Sequence, residues 1–401
     1  MRILFLTHRL PYAPNRGDRI RAFHLLHELA RRAEVDLVSL THDADEDAHA
    51  GDLSGVVSRI ATAPVRRIPN LARGIVALPT SRPLTHVLLH SAAMRPAIAR
   101  MVADRAPDLV LAYCSGVARY ALDAPLRAVP SIVDMVDVDS EKWAELARAT
   151  PPPKRWIYRR ERRYLSRFEA EAARHAHATL VVNERERASL ARLAPDANVR
   201  VLPNGIDLTA FHAAEQPAAG AAVVFCGVMN YAPNEQAARW LAEAVWPIVG
   251  RQRPDARLLL VGADPPPAVR ALAARDPSVE VTGTVADVRP YLWRSAVAAA
   301  PLKTARGIQN KVLEAIASGL PTVVTPVVFE GLPPEAAAAC RVADSPDAFA
   351  AAILDLLART PGDRRALAAQ ANLAALGWRE QLAPLVELVD AAVGSANQRR
   401  R

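Results

Sequence analysis

Short apolar runs alternate with segments of helical periodicity along the chain, and the first such unit lies at its start. Residues 1–6 and 35–40 are apolar runs of strand length, and residues 19–32 between them repeat apolar positions with a helical period. The apolar stripe of this predicted helix consists of Ala22, Leu25, Leu26 and Leu29. Further strands are predicted at 109–112 and 131–136. Buried strands alternating with helices are typical of a parallel sheet covered by helices, so an α/β layer structure is predicted.

The same pattern restarts near Ala222, after a turn at 203–207 and a segment rich in Pro, Ala and Gly at 215–220. A strand, a helix over 235–249 and a second strand at 257–261 follow in that order. Later strands are predicted at 279–282, 297–300 and 321–325. Because 401 residues exceed what one simple core holds, we expect two domains. Their predicted bounds are 1–205 and 206–375, with a tail at 376–401.

The segment at 306–325 predicts a glycine-bearing loop, a short helix and a buried strand. Gly307 lets the backbone approach a ligand closely, and a free helix N-terminus favours an anion such as phosphate. One turn further in, a carboxylate would repel phosphate but could accept hydrogen bonds from sugar hydroxyls. The predicted apolar face holds Val312, Leu313, Ile316 and Ala317, and the polar face holds Asn310, Lys311, Glu314 and Ser318. The segment is interpreted either as a nucleotide-sugar site or as a solvated surface helix.

Composition limits the class of protein without naming its activity. Apolar residues make up 51% of the chain and charged residues 23%, which is typical of a soluble globular protein. No apolar run approaches the ~18 residues of a membrane helix, and no signal peptide is visible. The three cysteines have neither metal-ligand nor disulfide spacing. A cytoplasmic, reduced protein without a metal site is therefore expected.

A basic and aromatic segment at 151–174 stands out from the moderate net charge of +8. Its arginines alternate with Trp156, Tyr158, Tyr164 and Phe168, as in segments that lie on anionic membrane surfaces. One interpretation is therefore peripheral attachment to the inner face of the cell membrane, and the other is a solvated interdomain helix. Nucleic acid is not expected as a partner, because no recognition module accompanies the charge.

Several motifs resemble those of the large retaining glycosyltransferase family four, and they follow one another in the family's order. The family's nucleotide-binding pattern is Glu, seven residues, then Glu and Ala, followed by a Gly-x-Pro turn. Here Glu314, Ala315, Gly319 and Pro321 match it, whereas Arg306 stands where the first glutamate is expected. Two further family segments are matched by PNGID at 203–207 and VTGTVADVRPYL at 281–292.

Two segments resemble a narrower subgroup of bacterial sugar transferases. They are GVMNYAPNEQA at 227–237 and ARGIQNKVLEA at 305–315. This subgroup is associated with exopolysaccharide biosynthesis and with PEP-CTERM (exosortase) systems. The resemblance therefore implies a role in making exopolysaccharide or another cell-surface glycan.

The family resemblance implies the GT-B fold, in which two Rossmann-like doubly wound domains face each other across a cleft. It places the acceptor on the N-terminal domain and the nucleotide sugar mainly on the C-terminal one, with the tail at 376–401 as a helix crossing back. The implied reaction moves a sugar from a nucleotide diphosphate to a saccharide or polyprenyl-linked acceptor with retention. The leaving phosphate is thought to help deprotonate the acceptor, so no strong protein base, metal or other cofactor is expected.

The resemblance also assigns residues to this reaction. Gly17, before the first helix, corresponds to a glycine near the donor diphosphate and the acceptor. Asp137 stands near the position where many relatives have a histidine, and is predicted to face the reaction centre. Arg306 and Lys311 are predicted to stabilise charge on the leaving diphosphate. The predicted donor-binding residues are Glu314 for the ribose, Thr284 and Val285 for the base, and Gly307, Ile308, Gln309 and Asn310 in the loop.

Two functions of other classes are open. A nucleotide-sugar epimerase would share the fold but would need a water-activating carboxylate and a second glutamate. An inactive scaffold in a polysaccharide assembly complex would account for the missing first glutamate and would bind no nucleotide diphosphate. A dehydrogenase is not expected, because no Gly-x-Gly-x-x-Gly follows a strand.

Overall fold

The computed structural model describes residues 1–13, 17–305 and 308–400. The chain divides into two compact units, the first formed by Met1–Asn204 with Gln381–Arg401 and the second by Gly205–Glu380. Within the described residues, no helix is both long and apolar enough to cross a membrane.

The described part of the first unit contains one parallel sheet. Its strands are β1 (Arg2–Thr7), β2 (Glu34–Thr41), β3 (Arg59–Pro64), β4 (Leu109–Tyr113), β5 (Ser131–Val136), β6 (Ala178–Val181) and β7 (Val199–Val201). They pair in the order β3-β2-β1-β4-β5-β6-β7. Every residue of β1 and of β4 is buried, which agrees with their almost continuously apolar sequences.

Helices connect these strands. They are α1 (Gly17–Ala30), α2 (Ala44–Ala48), α3 (Arg67–Ala77), α4 (Leu84–Leu88), α5 (Met94–Asp104), α6 (Ser115–Ala121), α7 (Asp139–Ala149), α8 (Lys154–His175) and α9 (Glu184–Leu193). The predicted stripe of α1 faces the core, since Ala22, Leu25, Leu26 and Leu29 are all buried.

The second unit repeats the design with a sheet in the order β10-β9-β8-β11-β12-β13. Its strands are β8 (Ala222–Cys226), β9 (Arg257–Val261), β10 (Val279–Gly283), β11 (Val297–Ala300), β12 (Thr322–Val324) and β13 (Cys340–Val342). Its helices are α10 (Ala232–Trp240), α11 (Trp246–Gln252), α12 (Pro267–Arg275), α13 (Arg289–Trp293), α14 (Asn310–Ala317), α15 (Pro326–Phe329), α16 (Pro346–Ala358) and α17 (Pro361–Ala368). A last helix, α18 (Trp378–Arg400), starts in this unit and ends in the first.

The helix predicted over 235–249 is interrupted by a π turn at Leu241–Val245, which separates α10 from α11. Pro247, in the first turn of α11, has no backbone N–H and cannot complete a regular helical ladder. A π turn accommodates such a missing bond without ending the helix.

Candidate functional site

The sheet of the second unit has a switch point between β8 and β11. Strand β8 pairs with β9 on one side and with β11 on the other, so the connections leaving β8 and β11 run to opposite halves of the sheet. In open α/β sheets, the crevice at the carboxyl ends of such strands is where ligands bind. The segments that follow these two strands lead into α10 and α14 and supply the polar side chains of the candidate site.

Lys311, in the first turn of α14, lies across the end of β8. Its Nζ donates a hydrogen bond to Asn234 Oδ1 at 2.6 Å and lies 4.9 Å from the ring centroid of Phe225, the penultimate residue of β8. Burial lowers the pKa of the Lys311 amine to about 8, against the opposing effect of the Glu314 carboxylate. The structure therefore holds a poorly solvated cation at the switch point.

Glu314 lies one turn further along α14, on the same side as Lys311. It is half-buried, and among the described residues none donates a hydrogen bond to its carboxylate. Burial raises the pKa of Glu314 to about 7, although the Lys311 ammonium acts to lower it. Among the described residues the carboxylate is thus short of donors, and hydroxyl groups of a ligand would provide them.

The loop after β8 is closely packed around this amine. A Cβ on Gly227 would lie 2.9 Å from the Asn234 amide nitrogen and 3.0 Å from Lys311 Nζ. Asn234 Nδ2 in turn donates to the Val228 carbonyl at 2.9 Å, which fixes the amide oxygen towards the amine. A side chain at position 227 would therefore force Asn234 or the Lys311 amine to shift.

The apolar face of α14 packs on the core as predicted, but one residue predicted on the polar face is also buried. Val312, Leu313 and Ile316 are buried in the core. Ser318, predicted to share the ligand-facing side, is instead buried, and its hydroxyl donates to the Glu314 carbonyl at 2.8 Å. A serine at the end of a helix can return its hydroxyl to the carbonyl four residues earlier, and this satisfies it without a ligand.

The remaining predicted donor residues fall around the same edge of the sheet. Ile308 packs on the core beside α14, and Gln309 and Asn310 are the residues at which that helix begins. Thr284 is exposed and Val285 is half-buried, just after β10, two strands away from β8 in the sheet order. Arg306 and Gly307 lie outside the described residues.

The first unit has its own switch point, between β1 and β4. The loop after β1 is held by the buried Glu46, whose carboxylate accepts from the backbone N–H groups of Leu10 and His42, each at 2.9 Å. His8, directly after β1, stacks on Tyr113 at the end of β4 with ring centroids 5.6 Å apart. Gly17 is the first residue of α1, the helix that follows this loop.

Two aspartates at the end of β5 have different environments. Asp134 is fully buried, and its Oδ2 accepts from Arg21 Nε at 2.8 Å. Asp137 lies beyond the strand with 35% of its side chain exposed, and its Oδ2 is 3.0 Å from Lys142 Nζ. Asp137 is therefore the more accessible of the two, and its charge is balanced by a lysine.

Lys142 bridges the carboxylates of Asp137 and Asp139, two residues apart in the sequence. Its Nζ lies 3.1 Å from Asp139 Oδ1 as well as 3.0 Å from Asp137, and Asp139 also accepts from Ser115 Oγ at 2.6 Å. Burial acts to lower the pKa of Lys142, but Asp139 and Asp137 outweigh it and raise that pKa above its ordinary value. In the described residues, no cluster of three or more His, Cys, Asp or Glu side chains could hold a metal ion.

The fold is similar to that of solved structures over 98% of the chain. Sucrose-phosphate synthase from Thermosynechococcus elongatus is 18% identical, with a TM-score of 0.67 over 98% of this chain and 100% of that one. HepE of Anabaena, in complex with UDP and glucose, is 14% identical, with a TM-score of 0.65 and the same shares covered. The trehalose 6-phosphate synthase from Burkholderia multivorans is 14% identical, with a TM-score of 0.62 over 98% and 99%.

Each unit also matches a family model. Residues 17–205 match the glycosyl transferase 4-like domain, and residues 220–359 match the glycosyl transferases group 1. The chain belongs to the glycosyltransferases. The fold class predicted from sequence, GT-B with two Rossmann-like doubly wound domains, is confirmed. Among curated proteins, none matches this glycosyltransferase.

Sequence reasoning missed several residues that contact or position the candidate site residues of the two units. In the second unit these are Gly227 and Asn234, and in the first they are Arg21, Glu46 and Lys142. One pattern could have found Gly227 in advance, namely a glycine directly after the first strand of the restarted α/β unit. For Glu46 and Arg21 the sequence carries no comparable pattern, because their partners are distant along the chain.

Proposed function

We propose that this glycosyltransferase moves a sugar from a nucleoside diphosphate to a saccharide or polyprenyl-linked acceptor with retention, in exopolysaccharide or cell-surface glycan biosynthesis of the PEP-CTERM type. The observation that carries the proposal is the Lys311–Asn234 pair at the switch point, with the donor-poor Glu314 one turn away. A cation and a carboxylate so spaced suit a ligand with phosphates at one end and vicinal hydroxyls next to them.

In this proposal the second unit binds the donor. The diphosphate lies at the N-terminus of α14, against Lys311 and Arg306, and the ribose hydroxyls donate to Glu314. The base lies near Thr284 and Val285. HepE, which has the same fold, has been solved with UDP and glucose, and this makes UDP and UDP-glucose suitable first probes.

The chemical step breaks the bond between the anomeric carbon and the leaving phosphate oxygen while the acceptor hydroxyl bonds to that carbon. The departing diphosphate takes the electron pair, and Lys311 stabilises the charge that grows on it. The acceptor proton passes to the leaving phosphate, so the protein supplies no strong base. On the first unit, Asp137 and the backbone at Gly17 serve the reacting sugar and the acceptor.

The proposed reaction needs no metal or other cofactor. Either a metal ion or a fixed cation can stabilise a leaving diphosphate, and in this proposal Lys311 is the fixed cation. Asp137 and Asp139 do not offer a metal site, because the Lys142 amine already lies between their carboxylates. Transfer is expected to proceed at the same rate with excess EDTA, and a requirement for Mg²⁺ or Mn²⁺ would contradict this part of the proposal.

Glu314→Ala is expected to weaken UDP binding by about tenfold to about a hundredfold, since two charge-assisted hydrogen bonds to the ribose are lost. The measurement is the thermal shift and calorimetric Kd with UDP. Glu280→Ala is the matched control, because Glu280 lies near the start of β10, at the amino end of the sheet. Equal loss in both variants, or none in Glu314→Ala, would contradict the ribose assignment.

UDP-glucose binding is expected to be tightest between about pH 7 and about pH 8. Below about pH 7 Glu314 gains a proton and becomes a poorer acceptor, and above about pH 8 Lys311 loses its charge. UDP-glucose is the better probe here because its diphosphate is esterified at both ends and has no secondary ionisation near pH 6. Calorimetric affinity plotted against pH should lose its acid limb in Glu314→Gln and its alkaline limb in Lys311→Met. A wild-type affinity that does not change with pH would contradict the roles given to Glu314 and Lys311.

Product analysis separates transfer from the two other functions. Transfer is expected to need both donor and acceptor and to release the nucleoside diphosphate. An epimerase would convert a UDP-sugar without any acceptor, and an inactive scaffold would bind no nucleoside diphosphate in calorimetry. Either result would overturn the proposed function.

A further inference from the structure

Helix α3 in the first unit exposes an apolar stripe. Ile68, Leu71, Ile75 and Val76 retain 81%, 51%, 70% and 76% of their surface exposure. Their spacing of three, four and one residues places them on one side of the helix, while Asn70, Gly74 and Ala77 are buried on the other. Four large apolar residues together on one exposed helical face indicate a binding surface rather than ordinary surface composition.

The chain around this stripe is entirely without acidic residues. Between Asp52 and Asp104 there is no Asp or Glu, whereas seven arginines occur in the same stretch. Four of these arginines lie within or next to α3 and are exposed, namely Arg66, Arg67, Arg73 and Arg82. The apolar stripe therefore has a rim of positive charge with no acidic residue in the surrounding sequence.

Helix α3 is firmly held by α8, the helix of the basic aromatic segment. Arg160 of α8 donates to the carbonyl oxygens of Ala77, Leu78 and Arg82 at 2.9, 2.7 and 2.9 Å. Glu161 accepts from the backbone N–H groups of Leu84 and Thr85, at the start of α4. The exposed stripe is thus part of a fixed surface.

These contacts correct one part of the sequence interpretation. Arg160 is committed to backbone carbonyls and is not available to a membrane, whereas Arg159, Arg162 and Arg163 of the same helix are exposed. Trp156, at the start of α8, is also 65% exposed. The surface near α8 therefore combines cations with an aromatic residue, but its apolar part comes from α3.

We propose that α3 is a membrane-insertion helix that lies in the interface of an anionic bilayer. Ile68, Leu71, Ile75 and Val76 enter the acyl boundary, and the surrounding arginines bind lipid phosphates. A bilayer suits this surface better than a second copy of the chain, since a symmetric contact would bring two arginine rims together. The proposal goes beyond the proposed function, because it depends on no donor or acceptor.

The test is sedimentation of the full chain with lipid vesicles. The wild-type chain is expected to bind vesicles that contain phosphatidylglycerol, and to bind pure phosphatidylcholine vesicles about tenfold or more weakly. Binding to the anionic vesicles should fall as salt is raised. The double variant Ile75→Asn, Val76→Asn is expected to bind vesicles about tenfold or more weakly. The triple variant Arg66→Gln, Arg67→Gln, Arg73→Gln is expected to lose binding on anionic vesicles alone. Val342→Asn, which alters an exposed apolar residue of β13, is the control and should bind as wild type.

Three results would overturn the proposal. They are no binding of the wild-type chain to anionic vesicles, equal binding by the α3 variants, and a dimer in sedimentation velocity that the α3 variants abolish. The variants change exposed side chains, and unchanged thermal unfolding would show that they fold. The calorimetric affinity for UDP should be the same in these variants as in wild type. A failure of the membrane proposal can therefore be told apart from a failure of the glycosyltransferase proposal.

Discussion

Replacing Lys311 with methionine is expected to lower kcat/KM for the nucleotide-sugar donor by about 10²-fold to about 10³-fold. The amine lies at the switch point, poorly solvated and directed by Asn234, so its attraction for a growing negative charge is weakly screened. Methionine keeps the apolar stem of lysine and removes the charged amine together with its hydrogen bond to Asn234. The loss should appear in kcat as well as in KM, because the diphosphate already carries charge when the donor binds and gains more as the bond breaks.

The measurement is the initial rate of nucleoside diphosphate release, with the donor that gives the largest thermal shift. Arg251→Met is the matched control, since Arg251 is an exposed cation at the end of α11. Release within about twofold of wild type in Lys311→Met would mean that the amine only packs against Phe225 and Asn234. In that case the leaving-group role would pass to another cation, such as Arg306.

The sequence predicts the interior of both sheets well because parallel strands are buried on both faces. The sequences of β1, β4, β8, β9 and β11 are apolar nearly throughout, and those of β2 and β5 contain short apolar runs. Among the described strands, the unpredicted ones are β3, β6, β7 and β13. Three of them, β3, β7 and β13, lie at sheet edges, where one side has no neighbouring strand in the order, whereas β6 lies inside the first sheet and is a buried run of only four residues. Edge strands are short or only half-buried here, and their sequences lack a continuous apolar run.

The candidate site is predictable only where it is local in sequence. Lys311 and Glu314 are three residues apart on one helix, and a helical wheel is enough to bring them together. Asn234 is 77 residues before Lys311, and the two meet only because β8 and β11 are neighbours in the sheet. That neighbour relation depends on the strand order, which periodicity does not give.

Asp134 and Asp137 illustrate a second limit. The sequence places both near the end of one strand and cannot tell which is accessible. The register of β5 against β6 shifts between Asp134 and Val136, and Val136 has a positive φ of 65°. Asp134, before the irregularity, points into the protein. The irregularity redirects the residues after it, and Asp137 reaches solvent.

Breaking the buried Arg21–Asp134 ion pair is expected to destabilise the first unit by about 3–5 kcal/mol. Both side chains are at most 1% exposed, and Arg21 also donates to the Pro203 carbonyl at 3.2 Å and to Asn204 Oδ1 at 3.0 Å. Arg21→Met leaves the Asp134 carboxylate buried without its cation and frees residues 203–204. Because the chain has two units, hydrogen exchange of β1 and β5 peptides is a better measurement than a single melting temperature.

A surface pair in the same unit provides the control. Arg95 and Asp123 are 2.6 Å apart but 60% and 45% exposed, so Arg95→Met should cost less than about 1 kcal/mol. The decisive comparison adds Asp134→Leu to Arg21→Met. If the cost of Arg21→Met comes from an unpaired buried carboxylate, the double variant should regain much of the lost stability. If the double variant is as unstable as the sum of both changes, the ion pair itself holds the helix α1 and the strand β5 together, and the unpaired charge is not the cause.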